Sequence, residues 1–243
     1  MKRIKSIFSL IMMGAILLAM TACGSSAGDT PSMQGTSENT ETKQDVPETE
    51  DKTESESETT EITDDDSSDG SNVLVVYFSR TGEQYTVGVI DECNTAIVAK
   101  MIAEKTGADT FEILPETDYY PYTYAELTDV AKKEQNENAR PVIKDALPDM
   151  SQYDTVFIGA PVWWGDWPMI MYTFFKSTDL SGKNLIPFST HEGSGLSGFD
   201  KKLSSAVSDA NVLTGLAVRG NDCQNDKTGV ESKVDEWLSE LGY

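Results

Sequence analysis

Residues 73–243 predict an α/β domain, a three-layer doubly wound sandwich with a mostly parallel sheet between two helical layers. Two observations carry this. The apolar runs that read as strands are continuous rather than alternating, as expected of strands buried on both faces. They also alternate with helical stretches through five repeats of one unit. Strands buried on both faces need helices on both sides, which favours parallel crossovers. In such sheets ligands bind beyond the carboxyl ends of the strands, at a topological switch point. The residues that follow each strand are therefore the ones to read.

The first strand is 73–78, VLVVYF. Asn94 or Thr95 caps the first helix, whose stripe of Ile97, Val98, Met101 and Ile102 stops at Gly107. A second strand at 110–114 is closed by Pro115. A long crossover, 115–141, opens Tyr-rich (DYYPYTY) and turns helical over 124–136. Residues 155–160 (TVFIGA) form the third strand, and 168–176 a helix with proline in its first turn. The fourth strand, 184–189, carries Pro187, an awkward residue in a central strand. Residues 199–207 are helical, 212–218 are the fifth strand, and 229–241 form a closing amphipathic helix through Val230, Val234, Trp237, Leu238 and Leu241.

Three strand ends carry chemistry. After the first comes Ser79-Arg80-Thr81-Gly82, whose hydroxyls, glycine and free amides suit an anion nest. Neither the P-loop nor the dinucleotide glycine pattern follows this first strand. After the third comes Pro161-Val162-Trp163-Trp164-Gly165-Asp166-Trp167. Tryptophans in a polar turn expose part of each ring unless something flat covers it. An aromatic ligand over Trp163 or Trp164 is the economical explanation; packing of the rings onto the next helix is the alternative, and Trp167 reads as structural. After the fourth comes Thr190-His191-Glu192-Gly193-Ser194-Gly195. Small residues here let amides approach and read the edge of a planar ring. His191, the only histidine, reads either as an exposed loop residue or as a proton donor. Anion nest, aromatic platform and edge reader together describe a site for flavin mononucleotide (FMN). No catalytic residue and no metal ligand is singled out.

These three loops resemble those of the flavodoxin family, in its branch with a W-W-G loop, and the resemblance covers residues 73–243. It implies a five-stranded parallel sheet of order 2-1-3-4-5, non-covalent FMN and electron transfer. It assigns cofactor contacts to Ser79, Arg80, Thr81, Gly82, Asn94, Thr95, Pro161, Val162, Trp163, Trp164, Gly165, Thr190, His191, Gly193, Ser194 and Gly195. The family's phosphate loop continues from T-G directly into N-T. Here residues 83–93 stand between Gly82 and Asn94. With them removed the loop reads S-R-T-G-N-T, so we read one site with a loop inserted in it. Ser79, Thr81, Asn94 and Thr95 are expected to converge on one anion, with Tyr85, Val87, Val89 and Ile90 folding the insertion over the cofactor or onto a partner.

The N-terminal part is of another kind. Residues 1–23 read as a secretory leader, with a basic start, an apolar run too short to span a bilayer, and M-T-A-C before a lipid-bearing Cys23. Residues 24–72 are rich in Ser, Thr, Glu and Asp, carry a net −13 and read as a disordered tether. The implied location is the outer face of a cell membrane, held by the lipid. Residues 73–243 keep −12 of the total −22, which excludes nucleic acid as a partner. The expected function is electron transfer by an exported flavodoxin-like protein, with the redox partner unnamed. Two alternatives stay open: an FMN-dependent reductase of a small acceptor such as a quinone, and a surface binding module with a degenerate flavin site. A hydrolase is not expected, because no G-x-S-x-G stands at a strand-to-helix elbow.

Overall fold

A computed structural model describes residues 72–243. The expected leader with Cys23 and the tether up to residue 71 lie outside the described residues. Among the described residues no helix is long and apolar enough to cross a membrane.

Strands β1 (Val73–Phe78), β4 (Asp109–Ile113), β5 (Thr155–Pro161), β6 (Asn184–His191), β7 (Asn211–Val212) and β8 (Leu216–Arg219) form the main sheet. Every pairing in it is parallel. The order is β4-β1-β5-β6, with β7 and β8 both on the free edge of β6. Taken as one interrupted fifth strand, β7 and β8 complete the expected order 2-1-3-4-5. The sheet faces follow the period of two. Leu74, Val76 and Phe78 face one core with Ile170, Met171 and Phe174 of α3 (Met169–Ser177) and Leu203 of α4 (Phe199–Ala206). Val73, Val75 and Tyr77 face the other, with Ile97, Val98 and Ile102 of α1 (Asn94–Thr106) and Val230, Val234 and Trp237 of α6 (Lys227–Leu241). Helix α2 (Tyr124–Glu137) packs beside α3. Each fully buried large side chain contributes roughly 1.5–3 kcal/mol.

Several expectations are corrected. Residues 83–93 are mostly a β-hairpin, β2 (Gly82–Gln84) antiparallel to β3 (Gly88–Ile90). The N-cap of α1 is Cys93, with Asn94 already helical. A short helix, α5 (Gly220–Asn225), precedes α6, which starts earlier than its apolar stripe suggests because Asp226 caps it through the Gly229 amide. The fifth strand breaks over residues 213–215, and this break explains Pro187. Asn211 and Leu213 donate to the carbonyls of Lys183 and Leu185, so the odd-numbered peptide groups of β6 face the fifth strand. Pro187, which has no N–H to give, falls opposite the break, where the ladder is already interrupted. Gly159 of β5 lies under Phe188, and a Cβ there would overlap the ring.

Candidate functional site

The carboxyl ends of β1, β5 and β6 open into a cleft of about 470 Å³. Its back is the start of α1. Asn94 and Thr95 line it, and Cys93 supplies no side-chain cap. No acid stands in the first turn of this 13-residue helix. Such an end presents free amides and the positive pole of the helix to an anion. The Thr95 and Thr190 hydroxyls hydrogen-bond at 2.7 Å, both buried, and so fasten α1 to the end of β6.

The hairpin returns the chain from the anion loop to the start of α1. Gly82 pairs with Ile90 across the hairpin, and the Ser79 hydroxyl lies within hydrogen-bonding reach of the Cys93 thiol. The side chains of Ser79 and Asn94 are engaged with protein groups. Ser79 donates to Glu112 at 2.7 Å, and Asn94 accepts from Gln224 at 2.7 Å. Arg80 lines the cleft, but its guanidinium donates to the carbonyls of Glu83, Pro121 and Tyr122, which pins the hairpin to the loop before α2. Thr81 is exposed. Ser79, Thr81 and Gly82 are not among the residues lining the cleft, so the anion position is built by the α1 terminus more than by the loop hydroxyls.

One side of the cleft is the tryptophan turn. Trp163 and Asp166 exchange backbone hydrogen bonds at 2.9 and 3.0 Å. Between them Trp164 and Gly165 both have positive φ, 51° and 72°. This is a type I′ turn, whose first central position normally takes Asn, Asp or Gly. Trp163 is half-buried, edge-on to Phe78 and Tyr120 at 5.3 and 5.1 Å. Trp164 is 53% exposed. Its indole N–H donates to the Thr128 carbonyl at 2.9 Å, and the Lys132 ammonium lies 5.0 Å from its ring centre. Both rings, with Pro161 and Val162, line the cleft, whereas Gly165 does not. Trp167 is structural, as expected: it is buried and stacks on Phe199 at 3.6 Å.

Thr190, His191 and Ser194 line the edge beside the α1 terminus, while Gly193 and Gly195 are not among the lining residues. His191 Nδ1 accepts from the Gly193 amide at 2.9 Å, so its remaining proton sits on Nε2. Burial lowers the His191 pKa, which keeps the ring neutral at pH 7. The Glu192 carboxylate also lines the cleft and accepts from the Asn221 amide at 2.6 Å. Cys93 and Cys223 are free thiols, so no disulfide joins them. Burial raises both pKa values, that of Cys223 to about 12.

The front wall combines the insertion, whose Tyr85 and Val87 line the cleft, with α2, which no strand end indicated. Gln84, Tyr85 and Val87 of the hairpin face Tyr124, Leu127 and Ala131 of α2 across the cleft mouth. Tyr85 and Tyr124 stack at 5.4 Å. The four-residue spacing of Leu127 and Ala131 was the available signal. Of the Tyr-rich stretch 119–124, only Tyr124 lines the cleft. The exposed Tyr119 and half-buried Tyr120 donate to buried Glu134.

The family model described as Flavodoxin matches residues 72–239. The chain belongs to the flavodoxin family. Among solved structures it is similar to candidate flavoproteins of Bacteroides uniformis and Bacteroides eggerthii, each at 30% identity. The first match covers 70% of this chain and 99% of the other, with a TM-score of 0.54. The second covers 68% and 96%, with a TM-score of 0.52. No curated protein matches.

Flavodoxins carry FMN, and the residues present fit that group. The uncapped, acid-free α1 terminus suits its phosphate. The half-exposed Trp164 and the adjacent Trp163 offer ring faces, and Thr190 and Ser194 offer polar atoms to a ring edge. Among the described residues no cluster of three or more His, Cys, Asp or Glu is placed to hold a metal.

Proposed function

We propose that residues 73–243 bind FMN non-covalently in this cleft and transfer electrons from the outer face of a membrane. On this reading a lipid on Cys23 and the acidic segment 24–72 hold the domain there. The observation that carries the flavin reading is the coincidence of an open helix terminus, an indole pair and a polar edge at three adjacent strand ends. FMN supplies one- and two-electron chemistry when bound. The protein's part is to hold and shield it. Asn94 and Thr95 start the helix whose amides take the phosphate. Trp163 and Trp164 cover the ring. The neutral His191 presents an Nε2–H donor at the cleft edge. Purified full-length chain is expected to be yellow, or to take up one FMN per chain. A colourless protein that cannot be reconstituted would instead be a binding module. Membrane tethering is checked separately, by release of Cys23→Ser into the soluble fraction.

A second reading has its own support. The stacked Tyr85–Tyr124 pair and Val87 give the cleft mouth a flat, apolar wall, suited to a small planar acceptor such as a quinone. Sustained NAD(P)H oxidation with a soluble quinone and no partner reductase would favour a reductase over a shuttle.

A further inference from the structure

We propose that the hollow formed by α3 and α4 binds a small multivalent anion carrying phosphate or clustered carboxylates. The hollow has a volume of about 510 Å³. It is lined by Arg140, Lys176, Lys201 and Lys202 over a floor of Tyr172 and Phe175. No acid lines it, although residues 73–243 carry −12. Elsewhere Lys100, Lys105, Lys227 and Lys233 stand beside acids that pair with them. Arg140, Lys176 and Lys201 do not. Among the described residues none of the three has a carboxylate at ion-pair distance. The acid beside the hollow, Asp166, is taken up by Lys202 at 3.4 Å, the Tyr172 hydroxyl at 2.9 Å and the Trp167 amide at 2.8 Å.

Two of the cations are held in place. The Arg140 guanidinium lies 5.2 Å from the Tyr172 ring centre and donates through Nη1 to the carbonyls of Asn138 and Ala139. Its other nitrogens stay open, and that planar fork suits phosphate or carboxylate. Lys202 is fixed on the carbonyls of Gly165 and Ser197. Lys176 and Lys201, both exposed, complete the ring of charge. Three cations with no neutralising partner repel one another, and an anion between them removes that repulsion. The concave shape and aromatic floor select a small molecule over a flat protein surface.

The test is calorimetric titration of the full-length chain at low salt. The probes are inorganic pyrophosphate and, separately, tricarballylate. Wild type is expected to bind one or both at a single site that weakens as salt rises. Arg140→Gln/Lys201→Gln is expected to lose at least tenfold in affinity while its ligand-free melting temperature stays unchanged. Stronger binding of pyrophosphate marks a phosphate ligand, and stronger binding of tricarballylate a carboxylate ligand; either supports the site. Absence of binding at millimolar concentration overturns it. So does binding that survives the double substitution or is displaced by FMN, since that binding belongs to the cleft.

Discussion

Trp164 shows how a single residue can be placed for function against its local preference. An L-residue in the left-handed region costs roughly 1–2 kcal/mol, and Asn tolerates it best. Trp164→Asn removes that cost but also the bond to Thr128 and the Lys132 contact, so the melting temperature should hardly move or should rise. Affinity for FMN is expected to fall about tenfold, equivalent to roughly 1.4 kcal/mol, measured by fluorescence titration of the apoprotein. Unchanged affinity would remove Trp164 from the site. Trp167 is the control: buried against Phe199, its replacement by Ala should cost about 3–5 kcal/mol of stability. Gly159→Ala is expected to destabilise by about 1–3 kcal/mol in chemical denaturation, because the added methyl has only the Phe188 ring to displace.

Among the elements, α2 joins stability to the cleft. Its one buried stripe carries Leu127 and Ala131 to the cleft and Glu134 to the hydroxyls of Tyr119 and Tyr120. Burial raises the Glu134 pKa. The folded state therefore holds this proton more tightly than the unfolded chain, and stability falls as pH rises from the unfolded value of about 4.3 through the folded one. Glu134→Gln stays neutral throughout. The difference in stability between variant and wild type should thus move in the variant's favour between pH 4 and 7. A difference flat across that range would show that Glu134 titrates as it does in the unfolded chain. The elements also show what the chain made legible. Continuous apolar runs located the central strands β1, β5 and β6, because burial on both faces leaves no ambiguity of period. The hairpin was hidden because its residues alternate weakly and its stability comes from non-local partners: Arg80 on the carbonyls of Pro121 and Tyr122, and Glu83 on the Tyr124 amide. The break at 213–215 was hidden too, since it falls opposite Pro187 on a strand distant in sequence.

For the whole molecule, the net −12 of residues 73–243 opposes adding electrons to a flavin held at the sheet edge. The reduction potentials of bound FMN are expected to lie below those of free FMN and to rise with ionic strength as the charge is screened. Spectroelectrochemical titration at two salt concentrations checks both, and potentials at or above those of free FMN would refute the idea. The strand-end residues of the cleft were readable because a parallel sheet fixes where its loops converge. Of the facing wall only Tyr85 and Val87 of the insertion were legible, because its other half depends on how a distant helix packs. That asymmetry gives the buried Thr95–Thr190 bond a kinetic meaning. The back of the cleft is latched, so traffic passes the hairpin side, where Arg80 grips bare carbonyls. Loosening that grip with Arg80→Ala should speed capture and release alike and leave their ratio nearly untouched. If Arg80 held the phosphate itself, release alone would quicken, and stopped-flow records of flavin uptake and exchange separate the two.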